Sequence, residues 1–463
     1  MKARLSGWPY REVSGAEFKG IPTARTWKRR SVPVYWYRVA DRIAIESPLE
    51  RPISPSHRKT EQHMELQQLV ETVKPEGSED EAVISQWVHA IATGLPHFGK
   101  SRAVTAPRIA KALERAGILQ ADGGFPEKYR IRKAKPSKFR FIDLFAGIGG
   151  MRLGFECAGG ACVFSSEFDR HAQKTYFENH GDFPFGDITK IDPKDIPDHD
   201  VLLAGFPCQP FSHAGLKRGI ADTRGTLFHD IAAILETKKP RVAVLENVKG
   251  LLSNDGGFTL QTILRRMVQL GYRCNIPDDL IHHGTPAELK VAAKHMILKS
   301  VDFGIPQNRQ RIFIVLWRAK RIQSFAYPLP TKKKTRVGSI FEKNPESSYT
   351  ISDRLWAGHE KRKDRNSRNG KGFGYGIVDA DSPFTNTLSA RYYKDGSEIL
   401  IRQKGRNPRK LTPREAASLQ GFPKKFKLNE SSVQVYRQFG NSVTVPVVAA
   451  LAKAVYHQIL DGR

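Results

Sequence analysis

The spacing of apolar and polar positions changes character near residue 138. Downstream of it, short apolar runs alternate with stretches of helical period. "FRFIDLF" leads through a Gly-rich turn into "MRLGFECAG", and "ACVFSSE" leads into "DRHAQKTYFENH". "HDVLLAG", "RVAVLENV" and "RIFIVLWR" continue the series of strands. Strands spaced by helices predict βαβ units, and so an α/β fold with a doubly wound, mostly parallel, Rossmann-like sheet. Ligands of such sheets bind beyond the C-terminal ends of the strands. Upstream, residues 64–137 carry two helical patterns, "EAVISQWVHAIATGL" and "APRIAKALERAGIL", joined by a Gly/Ser/Arg turn. They predict a small helical region and a candidate helix-turn-helix DNA reader. Residues 1–63 show little periodicity. They are expected to be disordered, or to be an extension upstream of a chain that starts at Met64.

Composition narrows the class. A chain of 463 residues has room for two or three domains, and its 75 Lys and Arg against 47 Asp and Glu give a formal charge of +28. That excess favours a polyanion as partner, nucleic acid before membrane surface. Thirteen of the basic residues and three of the six tryptophans fall in residues 1–63, against six acids there. Without that segment the chain is still strongly basic. No run of about 18 apolar residues predicts a transmembrane helix, and no signal peptide is expected. Cys157, Cys162, Cys208 and Cys274 show neither CxxC nor zinc-ligand spacing. A cytoplasmic protein with no metal, no membrane contact and a nucleic-acid partner is expected.

The chemistry concentrates at two places. In "GFPCQPFS" (205–212) the prolines keep Cys208 out of a helix interior, on a rigid loop after the "HDVLLAG" strand. A lone cysteine is usually a small buried hydrophobe, so the surroundings must argue for more. In "DLFAGIGG" (143–150) a Gly-rich turn follows a strand and allows a ligand close to the backbone. Glu167, twenty-four residues after Asp143, closes the next strand where a ribose diol needs an acid. Asp187 and Ile188 of "GDIT" offer an acceptor and an apolar cover to an adenine. No phosphate-cradling P-loop is present. An adenosine ligand without phosphates suggests S-adenosylmethionine.

The ordered set "DLFAGIGG", "GFPCQPFS", "DTRGTLF", "ENVKGL", "QNRQRI", "RKLTPREAASLQGFP" and "YRQFGNSVTVPV" resembles the DNA cytosine-5 methyltransferases over about residues 138–463. Within that family "GFGYG" and "TLSARYYKDGSEILI" look most like the bacterial Dcm type. The resemblance implies a catalytic S-adenosylmethionine-binding domain at 138–318, a target-recognition domain at 319–408, and a segment at 409–463 that returns to the catalytic domain. It assigns Cys208 to covalent attack on cytosine C6, Glu246 to the ring's N3 and amine, and Arg309 and Arg311 to holding the target base. It adds Phe145, Gly147, Pro207, Asn441 and Ser442 to the cofactor site formed with Asp143, Glu167, Asp187 and Ile188. The loop "SHAGLKRGIADTRG" is the expected lid, with Lys217, Arg218 and Arg224 on phosphates.

Between the "RIFIVLWR" strand and "RKLTPRE" the composition turns basic, and Arg391, Tyr392 and Lys394 are the expected DNA-contacting residues. The Dcm-like region implies a short GC-rich palindrome with CC and GG flanks in double-stranded DNA. A monomer is expected, solitary or paired with a restriction endonuclease of the same site. Two other readings stay open: a tRNA cytosine-5 methyltransferase, and a DNA-binding regulator acting through residues 64–137. The segment 276–296 is longer than the family pattern before "PQNRQR".

Overall fold

A computed structural model of the protein describes residues 35–39, 42–46 and 137–461, apart from 181–183, 208–226, 332, 371 and 429. The helical region expected over 64–137 therefore lies, but for Ser137, outside the described residues. Within 1–63 the structure describes β1 (Tyr35–Val39) and β2 (Arg42–Glu46), paired antiparallel with Trp36 opposite Ile45. The alternation in "RIAIE" is the period-2 signal behind them, set among scattered Pro and Ser. The chain divides into two compact units, one of residues 1–135 and 194–198, the other of residues 136–193 and 199–463.

The second unit is built on a six-stranded sheet. In chain order its first elements are β3 (Phe139–Leu144), α1 (Gly150–Cys157), β4 (Gly160–Ser166), α2 (Arg170–His180) and β5 (Val201–Gly205). They are followed by α3 (Leu227–Lys238), β6 (Val242–Val248), α4 (Phe258–Gln269), β7 (Ile297–Lys299) and β8 (Gln310–Trp317). The strand order is β4-β3-β5-β6-β8-β7, with β4, β3, β5 and β6 parallel and β8 antiparallel to both neighbours. The expected mostly parallel α/β sheet is present. Val201 to Ala204 of β5 are all fully buried, as a strand covered on both faces must be. From β3 the chain winds outward to β4, then crosses back to β5. The switch point between β3 and β5 is where such sheets bind ligands.

Segment 276–296 folds as α5 (Asp278–His283) and α6 (Pro286–Ala292), the latter opened by a Thr285/Glu288 capping box. Gln261 and Arg265 of α4 donate to the carbonyls of Ile281, His282 and Gly284, so this insertion is a braced appendage of α4.

A smaller sheet follows, formed by β9 (Ile377–Val378), β10 (Leu400–Gln403) and β11 (Arg406–Arg409) in the order β11-β10-β9, preceded by helix α7 (Asp353–Arg368). The chain then returns through α8 (Pro413–Leu419), α9 (Ser432–Asn441) and α10 (Val445–Val455). The run Ser432–Leu460 is long and apolar enough by composition to cross a membrane, yet 56% of that window is buried inside the protein. Its apolar side chains have a core to fill: Val448, Leu451 and Val455 pack with Phe141, Phe155, Val244 and Trp317. Two glycines of α1 permit the close approach of α10 and of the segment that leads into it. A Cβ at Gly154 would stand 2.4 Å from Val448 Cγ1, and one at Gly150 would stand 2.7 Å from Ser442 Oγ.

Candidate active site

The turn after β3 is shaped by backbone conformations that side chains rarely adopt. Phe145, Gly147 and Gly149 have φ of 56°, 55° and 84°. A left-handed phenylalanine costs about 1–3 kcal/mol and persists where the surroundings impose it. Here Glu167 is one of them, its Oε2 accepting the Gly147 N–H at 2.7 Å and its Oε1 the Asp169 N–H at 2.8 Å. Each carboxylate oxygen keeps a lone pair for a further donor. Ser166 donates to the Gly186 carbonyl at 2.8 Å, which draws the Asp187 loop to the same edge of the sheet. Asp187 caps the short helix Ile188–Lys190, accepting from Thr189, while Ile188 is buried beside it.

Asp143 is fully buried, and neither oxygen has a hydrogen-bond partner of ordinary geometry among the described residues. Burial pushes its carboxyl well above the usual range, with Arg152 pulling in the opposite direction. Burial also raises Glu167, whose two backbone N–H partners counter it. From the C-terminal segment, Ser442 meets Gly150 at the start of α1, and Asn441, at the end of α9, is exposed. Space over Gly147 is open, since a Cβ there would meet nothing within 4 Å. Phe168, next to Glu167, is 79% exposed. Open backbone, two acids at strand ends, a fully buried carboxyl and an uncovered phenyl suit a ligand with a diol, a flat ring and a charged amino-acid tail.

The second half of the site lies at the ends of β5 and β6. Cys208, Lys217, Arg218 and Arg224 are outside the described residues. Pro207 is described and exposed, and the carbonyl of Phe206 before it accepts from Asn247 Nδ2 at 3.0 Å. Gly205 pairs with Glu246 across the sheet, and a Cβ on it would stand 3.3 Å from Glu246 Oε2. Glu246 is buried, with Arg311 Nε 3.2 Å from its Oε1. Burial raises the Glu246 carboxyl above its ordinary range, while Arg311 and then Arg309 pull it down. A carboxyl so placed holds or gives up a proton in response to what binds beside it.

The two arginines differ in employment. Arg311 is on the carboxylate. Arg309 is buried and spends its guanidinium on main-chain carbonyls, those of Leu388 at 3.0 Å, Gly440 at 3.1 Å and Ser442 at 2.5 Å. Its Nε has no partner among the described residues.

The recognition residues need one correction. Tyr392 is fully buried: its hydroxyl donates to the Ile399 carbonyl and accepts from the Leu411 N–H, and its ring meets Tyr436 edge-on at 5.1 Å. It is a core residue and cannot reach DNA. Arg391 and Lys394 are exposed on either side of it. Phe168 and Asn247 were not singled out from sequence. An aromatic next to the ribose-type acid, and a second polar residue closing an apolar strand, were the signals for them.

Comparison with known proteins decides what this geometry belongs to. Residues 139–457 match the C-5 cytosine-specific DNA methylase family. The chain belongs to that family. It is 49% identical over 376 residues to the type II methyltransferase M.SsoII of Shigella sonnei, covering 80% of this chain and 94% of that one. It is 56% identical over 331 residues to M.NlaX of Neisseria lactamica, covering 70% and 99%. With the DNA-cytosine methyltransferase of Escherichia coli K12 it shares 39% over 380 residues, covering 69% and 78%. The S. pombe Dnmt2 methyltransferase structure has the same fold, with a TM-score of 0.54 at 22% identity over 69% of this chain and 98% of that one. The protein is a DNA cytosine-5 methyltransferase with the α/β methyltransferase fold, and S-adenosylmethionine is the methyl donor of its family. Among the described residues no group of three or more His, Cys, Asp or Glu gathers as a metal site.

Proposed function

We propose that the protein methylates C5 of a cytosine within a short GC-rich palindrome of CC…GG type in duplex DNA, as the modification enzyme of a type II system. The observation that carries the reading is the neighbourhood of Glu246: a buried carboxyl, raised in pKa by that burial, with Arg311 on it, on the strand beside the one that runs into Pro207 and Cys208. Relatives named type II methyltransferases support pairing with a restriction endonuclease.

Cytosine C5 is a poor nucleophile, and the reacting carbon is shielded inside a stacked duplex. Extruding the base costs a few kcal/mol. The Cys208 thiolate then forms a bond to C6, and the ring's π electrons shift toward N3, which takes a proton or strong hydrogen bond from Glu246. C5 becomes an enamine carbon able to form a bond to a methyl group. When bound, S-adenosylmethionine supplies that methyl from a sulfonium sulfur, leaving as the neutral thioether. Loss of the C5 proton leaves its bond pair to re-form the C5=C6 double bond, which expels the C6 sulfur as the Cys208 thiolate, while N3 returns its proton to Glu246. Arg311 keeps Glu246 oriented, and Asn247 braces the main chain that leads to Pro207 and Cys208. Asp143, Phe145, Gly147, Glu167, Phe168, Asp187, Ile188, Asn441 and Ser442 would hold the cofactor, Glu167 on the ribose hydroxyls and Phe168 across the adenine. The region 319–408 reads the DNA, with Arg391 and Lys394 at its surface. Lys217, Arg218 and Arg224 close over the phosphates.

Bisulfite sequencing of host DNA carrying the gene tests this against a Cys208→Ser control. Methylated cytosines confined to one short motif, and absent in the control, are expected. Unmethylated DNA from folded wild-type protein would overturn the reading and direct the assay to RNA.

A further inference from the structure

The motif "GFGYG" (372–376) is not used by any step above, and the structure shows what it builds. A Cβ at Gly374 would stand 2.5 Å from Lys363 Cβ and 2.6 Å from its Cα, so this segment lies directly on helix α7. A Cβ at Gly376 would stand 2.5 Å from the Glu398 carbonyl oxygen, so the segment also lies on the turn leading into β10. Gly376 completes the pairing, donating to the Ser397 carbonyl and accepting from the Leu400 N–H, both at 2.8 Å. Tyr375 turns inward, its ring edge-on to Trp356 at 4.9 Å with Lys363 Nζ 4.6 Å above it. Phe373 is left 54% exposed.

That exposure is not slack in the chain. Asn366 Nδ2 donates to the Phe373 carbonyl at 2.8 Å, and Arg362 Nε to the Gly374 carbonyl at 3.1 Å. The same guanidinium donates to the Asp395 carboxylate at 2.9 Å and to His359 Nδ1 at 2.8 Å. Arg362 thus ties the Phe373 loop to the loop carrying Arg391 and Lys394. An uncovered phenyl forgoes the stabilisation that burial brings, and scattered surface phenyls need no special explanation. This one is held outward by two close-packed glycines and two side-chain hydrogen bonds, against a helix that exposes Lys361, Lys363 and Arg365 together with Glu360 and Asp364, and is tied through Arg362 to the loop whose Arg391 and Lys394 are exposed. Basic side chains around a rigid aromatic match a polyanion that also presents apolar edges, and duplex DNA is that polyanion for this enzyme.

We propose that Phe373 is a specificity-determining residue whose ring enters the major groove and contacts the C5 edge of a pyrimidine in the recognition site. The inference rests on the DNA reading proposed above. Phenylalanine is one of the side chains suited to apolar contact with a methyl group at that edge, as thymine carries. The test uses full-length protein and a duplex bearing the motif found by bisulfite sequencing, together with duplexes changed at one base pair each. Phe373→Ala is expected to lower kcat/KM on the cognate duplex by about 10- to 100-fold, the range of one good base contact. It should narrow the gap to one of the single-pair variants, and Phe373→Leu should restore part of the loss. S-adenosylmethionine affinity and thermal midpoint should match wild type. The slope of log affinity against log salt should be unchanged, because no phosphate contact is removed. An unchanged kcat/KM and motif, a lowered thermal midpoint, or a shallower salt slope would each overturn the assignment while methylation by the wild type upholds the proposed function. A wild type that leaves DNA unmethylated overturns both.

Discussion

A carboxyl proposed as a proton donor needs a reason to hold its proton above the ordinary carboxylate range, and at Glu246 burial works in that direction. Burial raises its pKa, against the pull of Arg311 and Arg309, and so extends the protonated form to higher pH than in a free carboxyl. Activity that depends on that proton is present below the raised value and declines as the pH rises through it. Glu246→Gln keeps the shape and loses the proton, so kcat should fall by about 10²–10⁴-fold, as for loss of a general acid. The descending limb of the pH–rate profile should vanish with it, while cofactor affinity, measured by calorimetry, stays at the wild-type value. Glu246 was legible in the sequence because an acid closing the apolar run "VAVL" has few places to be other than a strand's end. Tyr392 was not legible in the same way. It lies in a loop, where no period says which of two adjacent tyrosines points inward, and the hydroxyl partners Ile399 and Leu411 that settle the matter come from other segments. Its neighbour Tyr393 is half-buried, with Arg437 at 5.4 Å over its ring, and lies at the surface where Tyr392 was expected.

Helices α1 and α7 show what the elements contribute. The strand–turn–helix order of the catalytic half followed from periodicity, but the partner of α1 did not, because α10 comes from the other end of the chain. Gly154→Ala would drive a methyl into Val448 and cost about 1–3 kcal/mol as an overpacked core. A lower denaturant midpoint should accompany a raised KM for S-adenosylmethionine, because α1 carries the Gly-rich turn. On α7, His359 is buried, takes the Arg362 donor on Nδ1, and donates from Nε2 to the Asp395 carbonyl at 3.2 Å. Only the neutral ring can make both bonds. Burial first and Arg362 second lower its pKa below the ordinary 6.5, while Asp395 works the other way. The neutral form's contribution is therefore full above pH 6.5 and is lost as the pH falls through the lowered value. Fluorescence of Trp356 on the same helix, isolated by difference against Trp356→Phe, should shift over that acidic range at constant salt. His359→Gln should flatten the shift.

At the scale of the whole catalytic unit, the question is what keeps the recognition half and the C-terminal segment in register with Glu246. Arg309 makes that connection: one guanidinium reaches Leu388, three residues before Arg391, and also Gly440 and Ser442, on either side of Asn441. The motif "QNRQR" marked it as functional, but only the fold reveals three carbonyls drawn from two distant stretches. Arg309→Met would fill the volume and leave those acceptors buried without a donor, at about 1–3 kcal/mol each. Arg309→Lys should rescue little, because an ammonium lacks the planar fork that serves several acceptors at once. Both variants are expected to lower the denaturant midpoint and to raise the KM for S-adenosylmethionine and for DNA together, since the cofactor segment and the recognition loop lose one shared anchor. A positioning role and direct contact with the base then separate cleanly. A variant with wild-type stability and wild-type KM values, but a kcat reduced on the scale of Glu246→Gln, would show that Arg309 leaves these carbonyls for the cytosine when DNA binds. Loss of stability and of both affinities would mean that Arg309 holds the reading half of the enzyme to the reacting half.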